Sequence, residues 1–365
     1  MHLEIGTVSS LGVDQGELRA FIGEHWHHQI ALTVENFYEW QFTASPDNAG
    51  IDNTVVVIDK LGNIHGFCGL NDRKFFLEGQ PFKGAELTTW IHSEKARGQY
   101  AIAVLQFLKK RYDVLIGTGI SDSAWPLYLH SGFKIVAKLP RFVRVFDWKT
   151  LKNCADITPL GRRILRNTGS VEEVTFSSTP TTLEDCEELV KQFRVAFNGL
   201  SRSPEHLRWR YERHPYFNYE INRVTSKGSD GLLVLRYEHK YSEGLKFVHV
   251  IDLIGAPNVI PAMISCAEQK ALAYGASFID MTSTASLHAA ATWTRGWTSI
   301  LDEPMVRIPN RFYPIEQRVP PTTSMTLWSR HNMNSLLDLG KLCFTKGDCD
   351  LDRPTMNFLI EHKLI

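Results

Sequence analysis

At 365 residues the chain is long enough for about two to three domains. Forty Lys and Arg balance forty Asp and Glu, so there is no net basic charge of the kind that replaces phosphate counterions on nucleic acid. No run approaches the roughly 20 apolar residues that span a bilayer, and Met1 to Ser10 lacks the basic region and apolar core of a signal peptide. These features read as a soluble, cytoplasmic protein with no membrane span and no nucleic-acid partner. The six cysteines, at 68, 154, 186, 266, 343 and 349, form no CxxC pair, so they read as reduced thiols rather than a disulfide frame or metal site.

In chain order, Asn53–Lys60 and Ile64–Leu70 are apolar runs joined by Leu61-Gly62-Asn63, which predicts a hairpin. Glu86–His92 alternates and predicts a third strand. Ala101–Arg111 carries Ile102, Leu105 and Leu108 on one face and ends in basic residues, which predicts an amphipathic helix with a favourable C-terminal charge. Val114–Ile120 predicts a buried strand, and Asp122–His130 a short helix halted at Gly132. Phe133–Ala137 and Val143–Phe146 read as two final strands of this unit.

Polar, basic residues 148–170 read as a connector between a unit at 1–147 and a second at 171–365. Val171–Ser177 predicts a strand and Thr182–Phe197 a helix. Gly231–Glu238 and Lys246–Ile254 predict a strand pair, Ile260–Tyr274 a helix closed by Gly275, and Ser277–Met281 a strand. The halves share an order of elements rather than residue identity, which points to a tandem repeat of one α/β fold.

The window Glu86–Phe133 is the most specific. Arg97-Gly98 enters a helix straight after a strand, and A-x-x-L-Y-x-x-x-G-F follows at Ala124, Leu127, Tyr128, Gly132 and Phe133. In this order these motifs resemble the acyl-CoA-dependent N-acyltransferases of the GNAT superfamily. The resemblance implies two tandem domains, each a mixed, mostly antiparallel sheet flanked by helices. It implies acyl-CoA as co-substrate, bound by Trp90, Ile91 and the loop Arg97, Gly98, Gln99, Tyr100, Ala101 and Ile102, without a metal. A loop turning into a helix offers unpaired amides and the positive end of a dipole to a diphosphate. Gly98 is present, whereas Tyr100 and Ile102 stand where the superfamily motif has glycines.

The resemblance places Tyr128 near the CoA sulfur as general acid. Glu86 stands where several members carry a catalytic carboxylate. Strand alternation predicts Glu86, Thr88, Trp90 and His92 on one face, with His92 as rival base and a water chain as the third route. The second half has no equivalent phosphate loop, since Gly255-Ala256-Pro257-Asn258 follows its strand. This implies one acyl-CoA site and a second domain supplying acceptor contacts or packing. Arg208, Trp209 and Arg210 are candidate acceptor contacts, as aromatic and cationic groups suited to base and phosphate, or else a packed helix face. The histidine cluster His25-Trp26-His27-His28 and the connector arginines Arg162, Arg163 and Arg166 read mainly as surface features.

The whole chain further resembles bacterial tandem-GNAT enzymes that acylate nucleotide-linked amino sugars. This implies a dTDP-linked amino-deoxy sugar acceptor, used in surface polysaccharide synthesis. An amino acid, polyamine or peptide acceptor, or a non-catalytic acyl-CoA-binding role, stands as the alternative.

Overall fold

The computed structural model describes the chain apart from residues 1, 97, 167–172, 301–304, 317–321, 332–335, 337, 339 and 349–351 and the side chain of Gln99. In the first half, strands β1 (Leu3–Thr7), β2 (Val55–Asp59), β3 (Ile64–Leu77), β4 (Gln80–His92), β5 (Val114–Thr118) and β6 (Lys134–Val136) form. Next come β7 (Arg141–Val145), β8 (Asp156–Ile157), β9 (Ser177–Pro180), β10 (Gly199–Leu200), β11 (Glu220–Ser226), β12 (Ser229–Lys240), β13 (Leu245–Gly255) and β14 (Phe278–Thr282). Five shorter strands follow: β15 (Thr298–Ser299), β16 (Val306–Arg307), β17 (Arg311–Phe312), β18 (Ile315–Glu316) and β19 (Met325–Ser329).

Two large sheets result. The first runs β1-β2-β3-β4-β5-β19-β6, with β10 added on β3; the second runs β15-β7-β14-β13-β12-β11-β9. Each contains one parallel pair, β4 with β5 and β13 with β14, among antiparallel neighbours. Helices pack on both, so the expected mixed, layered α/β architecture is present.

The expected boundary at residue 147 is corrected. β7 belongs by sequence to the first unit but pairs with β14 of the second sheet, Phe142 opposite Met281. In return β19, near the C-terminus, inserts between β5 and β6 of the first sheet, Leu327 opposite Ile116. Side-chain burial accounts for both placements. Phe142 joins the core of the second sheet, and Met325 and Leu327 pack with Val114 and Ile116. Residues 148–170, expected as a connector, instead carry β8 and the helices Trp148–Leu151 and Pro159–Arg166.

The hairpin after β2 is longer than the apolar pattern indicates. β3 continues through Asp72, Arg73 and Lys74, and β4 starts at Gln80 rather than Glu86. Glu78 and Gly79 both adopt positive φ, 51° and 78°, which lets a two-residue turn match the twist of the strands. The Thr182–Phe197 helix shortens to Glu187–Ala196, and the strand expected at 171–177 is replaced by β9, residues 171 and 172 lying outside the described set. The helix Ile260–Tyr274 ends as expected at Gly275, φ 74°. Among the described residues no helix is long and apolar enough to cross a membrane.

Candidate active site

The parallel pair β4/β5 holds register only from Gly84 opposite Val114 to Leu87 opposite Gly117. β4 runs on to His92 while β5 stops at Thr118, so the strands part and leave a groove. The helix Gln99–Arg111 enters beyond the end of β4, with Gly98 at its N-cap, φ 73°. A Cβ at Gly98 would meet nothing within 4 Å, so glycine serves backbone conformation here rather than space. The Gly98 carbonyl accepts from Ala101 and Ile102 at 3.1 and 3.4 Å, closing the first turn. The Tyr100 ring packs against the sheet core and Ala101 is buried, so this loop is presented by backbone instead of by glycines. Arg97 lies outside the described residues, as does the Gln99 side chain.

A β-bulge redistributes the side chains of β4. Leu70 faces Leu87, but Cys68 faces Trp90, so β4 carries one extra residue between them. Trp90 therefore packs with Cys68 and Leu87 on one face, while Ile91 joins Phe42 and Phe67 on the other. Glu86 borders a small pocket with Phe37 and Trp40, on the Ile91 side. The expected single face holding Glu86, Thr88, Trp90 and His92 is thus corrected, because one inserted residue reverses the alternation. Glu86 is buried, with Arg73 at 3.9 Å; His92 is exposed at the strand end.

Tyr128 lies beneath Trp90, ring centroids 5.8 Å apart and edge-on, with Phe133 at 5.0 Å on another side. Burial, with the nearby Cys68 thiol, raises its pKa well above the ordinary phenol value, so the hydroxyl stays protonated at neutral pH. Burial pushes the Cys68 thiol up to about 12, which makes it an inert core residue.

A cavity of about 940 Å³ is lined by residues from both halves of the chain. Its walls include Gly119 and Ile120 at the end of β5, Trp125 before Tyr128, and Arg236, His249 and Lys346 from the second half. The tail closes it: Arg353 lines this cavity and also the pocket of about 30 Å³ that holds Glu86. From there the Arg353 guanidinium donates to the Thr89 hydroxyl at the bulge, 2.8 Å. Trp26, His27 and His28 also line the larger cavity.

Arg208, Trp209 and Arg210 lie outside the lining of this cavity. Trp209 stacks on Trp40, centroids 4.6 Å apart, and donates to the Trp40 carbonyl. Arg210 donates to the Gly347 and Asp352 carbonyls at 3.3 and 2.9 Å, and Arg208 to the Leu183 carbonyl at 3.1 Å. Their segment continues the helix Pro204–Leu207 as a π-helical turn, which buries Trp209 and Arg210 and leaves Arg208 half-buried. Among the residues that line the cavity from the second half, Arg236, Glu238, His249 and Lys346 are spread over 110 positions in two strands and a short 3-10 helix, so no local motif marks them.

Among the described residues no group of His, Cys, Asp and Glu is arranged to hold a metal ion. No protein-family model matches the chain, and no curated protein matches it in sequence. In three dimensions it is similar to a GCN5-related N-acetyltransferase from Anabaena variabilis, TM-score 0.57 and 13% identity, over 93% of this chain and 75% of that one. The fold is that of the GCN5-related N-acetyltransferases. A probable N-acyltransferase from Enterococcus faecalis gives a TM-score of 0.56 at 10% identity, over 89% of this chain and 72% of that one. A GCN5-related N-acetyltransferase from Kribbella flavida gives 0.51 at 12% identity, over 89% and 70%. The parting of β4 from β5, the helix after Gly98 and the buried tyrosine all sit within this GNAT fold.

Proposed function

We propose that the chain is an acyl-CoA-dependent N-acyltransferase whose donor lies in the β4/β5 groove and whose amine acceptor fills the cavity lined by both halves. The observation that carries the reading is the loss of β4/β5 pairing after Leu87 and Gly117, with the buried Tyr128 edge-on to Trp90 of β4 and a cavity of about 940 Å³ lined by Gly119 and Ile120 just beyond β5. The pyrophosphate would meet the amides of Gly98 and Gln99, ahead of the first closed turn, at the positive end of the helix dipole. Trp90 and Ile91 on the parted end of β4 would supply the amide that stabilises the oxyanion.

In the reaction the acceptor nitrogen attacks the thioester carbonyl, forming the C–N bond. Collapse of the tetrahedral intermediate breaks the C–S bond, and Tyr128 gives its proton to the departing thiolate. The proton from nitrogen is assigned to a water chain past Arg353 to Glu86, since that guanidinium stands between the two pockets. His92, exposed at the end of β4, is the other proton acceptor in reach of the groove. Of Arg208, Trp209 and Arg210, it is Arg210 that acts through the wall. Arg210 pairs with Asp352, and Asp352 in turn holds Arg236 at the cavity surface.

The acceptor we favour is a dTDP-linked amino sugar, as used in surface polysaccharide synthesis. The cavity's size supports a large acceptor, and Arg353 on its lining, which donates to the neutral Thr89 hydroxyl, brings a positive charge that suits phosphate. The test is thiol release from acetyl-CoA and longer acyl-CoA with a panel of dTDP- and UDP-amino sugars, beside amino acids and polyamines. Release with the nucleotide sugars, and thermal stabilisation by dTDP, is expected. No release with any amine and no stabilisation by CoA would overturn the reading.

A further inference from the structure

Arg236 and Glu238 alternate on β12 and so share one face, with His249 opposite Arg236 on β13. Arg236 donates to Asp352 through Nε and Nη2, at 2.9 and 2.7 Å, and to Glu238 Oε1 through Nη1. His249 Nε2 lies 3.3 Å from the same Oε1. Burial raises the Glu238 pKa, but Arg236 and His249 outweigh it and keep the carboxyl below its usual range. The side chain is therefore charged and more than nine-tenths buried, at 8% exposure. Yet its second oxygen, Oε2, has no hydrogen-bond partner in the protein.

Asn310 Oδ1, on the same cavity lining, is likewise buried without a partner. Among the described side-chain atoms these are the two on this lining in that condition, and both are acceptors. The neighbouring cations are already engaged: Lys346 approaches His249 Nδ1 at 2.6 Å and Asp280 at 3.2 Å. A buried, unpaired acceptor is costly, so the wall calls for a ligand rich in donors. The rest of the wall is aromatic. Phe217, Phe312, Tyr313 and Phe358 line it, with Phe358 edge-on to both Phe217 and Tyr313 at 5.1 Å.

We infer that this wall is a recognition subsite for a sugar ring, with Glu238 Oε2 and Asn310 Oδ1 accepting its hydroxyl protons and the aromatic rings covering its C–H face. The inference rests on the cavity being the acceptor site. A free carboxylate would be repelled at Glu238, and a plain alkylamine would leave the aromatic faces without a ring to cover. A polyhydroxylated ring offers donors on its edge and apolar C–H groups on its face, which is the pair of surfaces this wall can satisfy.

The test is direct binding, independent of turnover. Saturation-transfer NMR is run with methyl glycosides of gluco, galacto, manno and 6-deoxy configuration, and with cadaverine, on the full chain and on Glu238→Gln and Asn310→Ala. Binding of at least one glycoside, weakened tenfold or more in each folded variant, is expected. If Glu238→Gln fails to fold, Asn310→Ala decides. The inference is overturned if no glycoside binds, if binding is equal in the variants, or if cadaverine binds more tightly than every glycoside. Absence of thiol release and of CoA binding would instead strike the acyl-transfer reading, leaving glycoside binding to be judged by itself.

Discussion

Arg353 reaches across 264 positions of sequence to donate to the Thr89 hydroxyl at 2.8 Å. Thr89 is buried beside the β4 bulge, so the C-terminal tail is tied to the strand where the oxyanion donor is proposed. Removing a charged donor from a buried acceptor costs about 1.5–3 kcal/mol. Arg353→Ala is expected to lower kcat/KM for acyl transfer by roughly ten- to a hundredfold. Steady-state thiol release measures it; an unaltered kcat/KM would count against the tie.

Tyr128→Phe keeps the edge-on packing with Trp90 and Phe133 and removes the proposed proton donor. Loss of general acid catalysis should lower kcat by about 10²-fold or more. Acetyl-CoA affinity by calorimetry should stay within threefold. Because burial holds the phenol protonated, the wild-type rate should show no fall from Tyr128 ionisation up to pH 10.

Asp348 joins the halves. Its Oδ1 accepts from Arg73 of the first sheet at 3.0 Å and its Oδ2 from Arg202, whose Nε donates to Asp252 of the second sheet at 2.8 Å. All four side chains are buried. Asp348→Ala leaves two guanidiniums short of a carboxylate, and a loss of about 3–5 kcal/mol is expected in urea unfolding.

Acid should weaken the fold before its carboxylates titrate. Burial, helped by nearby arginines, lowers the pKa of His206, His214 and His288 below the ordinary 6.5, that of His288 to about 3. These rings are neutral when folded, while the unfolded chain takes up protons below pH 6.5. Their contribution is thus full above 6.5 and is lost as pH falls toward 3, by up to about 1.4 kcal/mol per histidine per pH unit. Asp280 and Asp352, depressed despite burial by His249, Lys346 and the arginines around them, add a further loss at lower pH. Urea midpoints should fall between pH 6.5 and 5, with a shallower slope in His288→Gln.

The bulge has its own control. A Cβ on Gly69 would run into the Thr88 hydroxyl and stand 2.9 Å from the Phe42 ring. Gly69→Ala should cost stability and also acyl transfer, since Thr88 and Thr89 must shift together. A thermal melt with a matched activity assay checks both.

Local pattern made much of the molecule legible. Ile102, Leu105 and Leu108 marked the helix now seen at Gln99–Arg111, and alternation marked β12 and β13. The loop–helix junction at Gly98 and the short helix that carries Tyr128 were also legible, because each is contiguous in sequence. The Arg208–Arg210 segment looked like a ligand site because its residue types suit one. Only the packing reveals that its groups are spent on Trp40, Gly347 and Asp352.

What the sequence determined by itself was therefore the elements with a short repeat and the order in which they occur. Tertiary structure decided three further things: the exchange of β7 and β19 between sheets, the reversal of Glu86 against Trp90, and the cavity wall at Glu238 and Asn310. Each depends on a partner distant in sequence. Strand pairing is chosen by which core buries Phe142 or Leu327, and one bulged residue changes the face of every side chain beyond it.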